Sequence, residues 1–181
     1  MSSTGTHQND IAASDASFAA ARRSWTDFES FYRAEQPLLE RALMMALGDA
    51  EMGRDAAAEG FARALQRWRK VGRYDNPSGW VYRVGLNWAH SRRKRIRRDS
   101  TNPVLAPARR PPDEPDLLSG EVTAALMQLS DEHRAIVVGR FVLDWSEAQV
   151  AAALDIPPGT AKSRSSRALA RLAELLEDHR D

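Results

Sequence analysis

The chain has no cysteine, so disulfide bonds, thiol redox sensing and Cys-ligated zinc are excluded. His7, His90, His133 and His179 show no ligand spacing either, so no metal and no cofactor are expected. Long apolar runs are also missing. Charge interrupts every hydrophobic stretch well before a membrane could be crossed. The opening MSSTGTHQNDIAASDAS lacks the basic start and apolar core of a signal peptide, and the expected location is the cytoplasm. No glycine-rich phosphate loop and no nucleophile–base motif stands out, so the chain reads as a non-enzyme.

The charge that is present is unevenly distributed. Net charge is +1, yet residues 61–98 carry twelve Lys or Arg against the single acid Asp75. The rest of the chain is correspondingly acidic, so a strongly basic block sits in acidic surroundings. Such a block points to a polyanionic partner. Three of the five tryptophans, Trp68, Trp80 and Trp88, lie in this block with Tyr74 and Tyr82. Aromatic rings among bases suit stacking on unpaired nucleobases. Trp68 and Trp88 read instead as core, whereas Trp80 and Tyr82 fit either role.

Periodicity predicts an all-α protein of two small helical domains joined by a flexible linker. Residues 1–23 are poor in large apolar groups and read as a disordered tail. Residues 24–98 form the first domain. Its first helix runs from Trp25 to Leu47 with Pro37 as a kink or restart, and its second covers residues 50–71, burying Phe61, Leu65 and Trp68. The loop GRYDNPSG leads into a long basic helix over residues 78–98. Residues 99–119 hold five prolines and read as the linker. Residues 120–178 form the second domain, of four helices.

Its most informative stretch is SEAQVAAALDIPPGTAKSRSSRALARLAELL, residues 146–176. Ser146 and Gln149 stand at the spacing of a capping box, and Trp145 and Val150 at that of a hydrophobic staple. Asp155, Ile156 and Pro157 make a turn, and Pro158 suits the first position of a second helix because its missing N–H costs nothing there. On that helix Ala161, Ala168, Leu169, Leu172 and Leu176 share one face, and Lys162, Ser163, Ser166 and Arg167 fall largely on the other. This is a helix-turn-helix with a basic, hydroxyl-bearing reading face.

Two further faces stand out. In the basic helix, Val81, Val84 and Trp88 point inward, while Arg83, Asn87, His90, Ser91 and Lys94 share a side that can lie along a DNA groove. The run Arg92, Arg93, Lys94, Arg95, Arg97 and Arg98 would hold phosphates. In the helix before it, Asp55, Glu59 and Gln66 lie along one side, which by periodicity alone is a solvated face.

The segments DAEMGRDAAAEGFARALQRWRKV and NPSGWVYRVGLNWAHSRRKRIRR resemble region 2 of the extracytoplasmic-function sigma factors, group 4 of the sigma-70 family. LSDEHRAIVVGRFVLDWSEAQVAAALDIPPGTAKSRSSRALARL resembles their region 4, with no region 3 between. The resemblance implies a promoter-specificity subunit of RNA polymerase. Asp55, Glu59, Phe61 and Gln66 would dock on the clamp helices of the largest polymerase subunit. Arg73, Tyr74, Trp80, Arg83, Asn87, Ser91 and Lys94 would engage and open the −10 element. Thr160, Lys162, Ser163, Ser166, Arg167 and Arg171 would meet the −35 element in double-stranded promoter DNA, and an anti-sigma factor is a candidate partner. The family commonly has larger apolar residues at Ala56 and Ala57 and a branched aliphatic pair at Ala161 and Ser165. The alternatives are a free-standing helix-turn-helix regulator, for which no dimer helix is evident, and a single-strand nucleic-acid chaperone.

Overall fold

The computed structural model describes residues 27–99 and 120–177, and among these every regular element is an α-helix. The tail at 1–23, Trp25, nearly all of the 99–119 linker and Asp178 lie outside the described residues. Asp27 starts α1 (Phe28–Leu47) by accepting a hydrogen bond from the Ser30 amide at 2.7 Å. The helix is unbroken through Pro37. Pro37 is exposed, so water can reach the Arg33 carbonyl that loses its helical donor. Gly48 ends α1 in the left-handed conformation at φ 62°, and Asp49 immediately caps α2 (Ala50–Gln66).

The single helix expected over residues 50–71 is two. Arg67 leaves helical geometry at φ −116°, ψ 18°, and α3 (Trp68–Val71) follows. The break lets Trp68 turn into an aromatic cluster, with ring centroids 4.9 Å from Phe31 and 5.4 Å from Phe28. Phe61 joins this cluster 5.8 Å from Phe31. Each fully buried ring there stabilises the fold by roughly 1.5–3 kcal/mol. Pro77 opens α4 (Pro77–Asp99), and the Asn76 side chain accepts from the Gly79 amide at 2.7 Å. Glycines set the spacing of α2 and α4. A Cβ on Gly60 would come within 2.8 Å of the Val81 carbonyl oxygen, and one on Gly85 within 2.9 Å of that of Ala56.

The second half contains α5 (Gly120–Gln128), α6 (Asp131–Phe141), α7 (Glu147–Leu154) and α8 (Pro158–Glu177). Its core does not stand apart from that of the first half. One continuous buried cluster runs from Phe31, Leu43 and Phe61 through Tyr82 and Leu86 to Ile136, Trp145 and Val150. The halves meet where α6 packs on the end of α1 and where α4 packs on α7, with side-chain hydrogen bonds from α4 to α6.

Arginines join them at the end of α1. Arg134 on α6 is 0% exposed. Its Nε donates to the Ala46 carbonyl at 2.8 Å, and its Nη1 to the Met127 carbonyl at 3.2 Å. Both carbonyls lie in the last turn of a helix, where no intrahelical donor is left and the helix dipole is negative. Arg93 on α4 donates to the Leu47 carbonyl at 2.7 Å and to Asp131 at 2.9 Å. Among the described residues no buried side-chain nitrogen or oxygen lacks a hydrogen-bond partner.

Candidate nucleic-acid interface

Residues 146–177 form the helix-turn-helix. Ser146 and Gln149 complete a reciprocal capping box on α7, and the staple residues Trp145 and Val150 are both buried. Asp155 ends α7 in the left-handed conformation at φ 57°, and the Ile156 amide returns to the Ala151 carbonyl at 3.0 Å. Pro158 then opens α8. Ala161, Ser165, Ala168 and Leu175 are buried, with Leu172 and Leu176 packed at the edge of the core. Leu169, expected on that inward stripe, is 38% exposed. The inward row runs 161, 165, 168, 172, 175, and residue 169 sits one position off it.

On the outer side of α8, Lys162, Ser166, Arg167 and Arg171 are exposed, with Thr160 and Ser163 half-buried. The Ser163 hydroxyl donates to the Thr160 carbonyl at 3.1 Å, which fixes its rotamer. Arg171 pairs with Glu174 at 2.9 Å. A helix with a free basic face, held from behind by a capped helix, can enter a major groove and hydrogen-bond base edges.

Arg73 and Tyr74 are exposed in the loop before α4, and Trp80 is half-buried against the core. Asn87, His90, Ser91 and Lys94 are exposed on α4. Arg83 lies in the seam between the halves, with Nη1 3.5 Å from Asp155 of the helix-turn-helix. Arg83 and Asn87 line a cleft of about 190 Å³ together with Asp131, Ile156 and Arg164. Tyr82 belongs to the core. It is 0% exposed, its ring meets Trp145 edge-on at 5.5 Å, and its hydroxyl donates to the Ala135 carbonyl at 3.1 Å. Burial pushes its ionisation well above the usual tyrosine range, partly opposed by the Arg134 charge. Within the basic run, Arg93 is committed to the seam, and the Arg92 guanidinium lies 5.2 Å over the Trp88 ring.

On α2, Asp55 and Gln66 are exposed, and Glu59 pairs with Arg63 at 2.6 Å. Phe61 is only 3% exposed and supports this face from within the aromatic cluster. Leu65, expected in the core, is instead 56% exposed. Positions 55, 58, 59, 62, 65 and 66 form one helical stripe, so Leu65 puts an apolar side chain beside Asp55 and Glu59. That spacing was a signal available in the sequence.

The geometry defines an all-α protein in which a helix-turn-helix packs beside a basic helix. Among the described residues no group of His, Asp or Glu could hold a metal ion, and no helix is long and apolar enough to cross a membrane. The family model for sigma-70 region 4 matches residues 119–172. The ECF RNA polymerase sigma factor SigL of Mycobacterium tuberculosis is 31% identical over 156 residues, covering 82% of this chain and 88% of the relative. SigM of the same organism is 33% identical over 153 residues, covering 82% and 76%. The sigma factor RpoE of Bartonella quintana, solved with the anti-sigma factor NepR, superposes with a TM-score of 0.69 at 26% identity, covering 83% of this chain and 97% of that one. The chain belongs to the ECF RNA polymerase sigma factors, the promoter-specificity subunits of RNA polymerase.

Proposed function

We propose that this sigma factor brings core RNA polymerase to its promoters through three separate faces. The α2 stripe of Asp55, Glu59, Leu65 and Gln66, backed by Phe61, docks on the clamp helices of the largest subunit. Arg73, Tyr74 and Trp80, with Arg83, Asn87, Ser91 and Lys94 on α4, engage the −10 element as duplex and as opened strand. Thr160, Lys162, Ser163, Ser166, Arg167 and Arg171 on α8 meet the −35 element. The protein acts in the cytoplasm, on the nucleoid when in holoenzyme, catalyses no reaction itself, and has an anti-sigma factor as a further partner.

The observation that carries this reading is the division of α8 into a buried row of small residues and an exposed row of Lys162, Ser166 and Arg167. Binding-site selection on the holoenzyme tests it. Arg167→Ala should cost roughly 1–3 kcal/mol at the preferred sequence and relax the choice of base at one position, as a base-edge contact does. Arg171→Ala should weaken all sequences about equally and reduce the salt slope by about one. Identical selected sequences for the native chain and the Arg167 variant would make that residue a phosphate contact and contradict this reading face.

A further inference from the structure

The cleft beside α4 has the lining of a small-molecule site. Part of it is apolar, formed by the buried Leu86 and Ala135 with the half-buried Leu154 and Ile156. Three donors share the same lining: Arg83 and Asn87, one turn apart on α4, and Arg164 on α8. An apolar wall with a few polar groups converging on it is the composition of a ligand pocket. At about 190 Å³ the cleft lies below the roughly 300–1,000 Å³ of sites that take drug-sized molecules, so its occupant is small.

The charges set the sign of that occupant. Among the described residues each of the two arginines makes one ion-pair contact, through Nη1: Arg83 with Asp155 at 3.5 Å and Arg164 with Glu132 at 3.0 Å. A guanidinium carries about five N–H donors and Nη1 only two of them, so about three on each remain for a ligand. Both partner carboxylates stand mostly in water, at 82% and 64% side-chain exposure, whereas the arginines are 30% and 32% exposed. Such screened pairs contribute little, and an anion held bidentately inside the cleft can replace them at little cost. Asp131, the third carboxylate at the cleft, is already held by Arg93 and Arg134. With His90 neutral, the four arginines outnumber the three carboxylates by one, which a single negative charge would balance.

We propose that this cleft binds a small organic monoanion, one carboxylate on an apolar body of about the size of benzoate. Arg83, Asn87 and Arg164 hold the carboxylate, and Leu86, Leu154 and Ile156 cover the body. An inorganic anion would leave the apolar lining bare, and a neutral ring would leave the guanidiniums unmatched. The ligand shares Arg83 and Asn87 with the −10 element, so when bound it lowers promoter engagement. Only this consequence rests on the reading of α4 as the −10 helix.

Binding of benzoate to the full-length chain tests the site, by calorimetry and by NMR transfer from the ring protons. Benzoate should saturate below about 10 mM. Acetate, which lacks the body, and benzamide, which lacks the charge, should each bind at least about tenfold more weakly. The ring protons should contact the methyl groups of Leu154 and Ile156, a readout that needs no variant. Arg83→Gln and Arg164→Gln should each weaken benzoate by about tenfold or more while the melt hardly moves. Absence of saturable binding, equal binding of acetate, or ring contacts elsewhere on the chain overturns the site. In run-off transcription with core polymerase, saturating benzoate should lower the yield by about threefold or more for the native chain and not for Arg164→Gln. An unchanged native yield overturns the effect on promoter engagement. A native chain that gives no transcript even without benzoate removes the sigma reading, and that effect with it, while calorimetry on the chain alone still decides the site.

Discussion

The Arg134 side chain donates from Nε to the Ala46 carbonyl oxygen at 2.8 Å, joining residues 88 apart in sequence. The same guanidinium reaches the carbonyls of Leu126, Met127 and Leu129 and the carboxylate of Asp131. One cation therefore satisfies the exposed ends of two helices, α1 and α5, that belong to different halves. Arg134→Met keeps the apolar stem but strands these backbone acceptors, while Asp131 keeps its Arg93 partner. The expected cost is about 3–5 kcal/mol. Urea unfolding of the full chain measures it, and a loss under ~1 kcal/mol would mean that the contacts are not formed in solution.

The Tyr82 hydroxyl gives the seam an alkaline limit. Its folded pKa lies above the unfolded value, so the stability it contributes is fully present below about pH 10 and is lost as pH rises further, when the unfolded chain releases a proton that the folded chain retains. Stability of the native chain should fall above that pH, and the fall should be shallower in Tyr82→Phe. Chemical denaturation across the alkaline range measures both slopes. Equal slopes would show that Tyr82 is not buried.

Close packing of α2 on α4 predicts a sharp response to added volume. Gly85→Ala would bring a methyl group within 2.9 Å of both the Ala56 carbonyl oxygen and the Leu43 Cδ1. The backbone oxygen cannot swing aside, so the helices must part at a cost of roughly 1–3 kcal/mol. Thermal unfolding reads this directly. Gly120→Ala, which meets nothing within 4 Å, is the control and should not destabilise the chain.

The α2 stripe predicts a binding defect without a folding defect. Reversing Asp55 and Glu59 to Lys, or changing the exposed Leu65 to Ser, should weaken binding to core polymerase by tenfold or more, about 1.4 kcal/mol. Exposed charges contribute little to stability, so the circular dichroism melt should hardly move. Unaltered affinity by calorimetry would remove this face from the polymerase interface.

The helix-turn-helix was legible because its signals are local. Ser146 and Gln149, Trp145 and Val150, and Pro158 each act within one or two turns of the chain, and all five stand where their spacing places them. The faces of α2 and α8 were legible except at Leu65 and Leu169, where strong hydrophobicity outweighed a small offset in phase. The seam was not legible. Several of its acceptors are backbone carbonyls, those of Ala46, Leu47 and Ala135, which carry no side-chain signature, and its donors Arg93, Arg134 and Tyr82 look in the sequence like surface arginines and one more aromatic of the basic block. Arg93 in particular lies in a basic run whose composition points to phosphate. Only the packing of α6 on the end of α1 reveals that a second half of the same chain holds it.

Promoter-directed initiation is tested most directly by run-off transcription from a genomic promoter pool with purified core polymerase. Core enzyme alone should give no specific product. Addition of the native chain should give a discrete set of transcripts whose start sites share one pair of elements near −35 and −10, and Arg167→Ala should shift or erase that set. A native chain that binds core polymerase yet adds no transcript to the background would contradict the account.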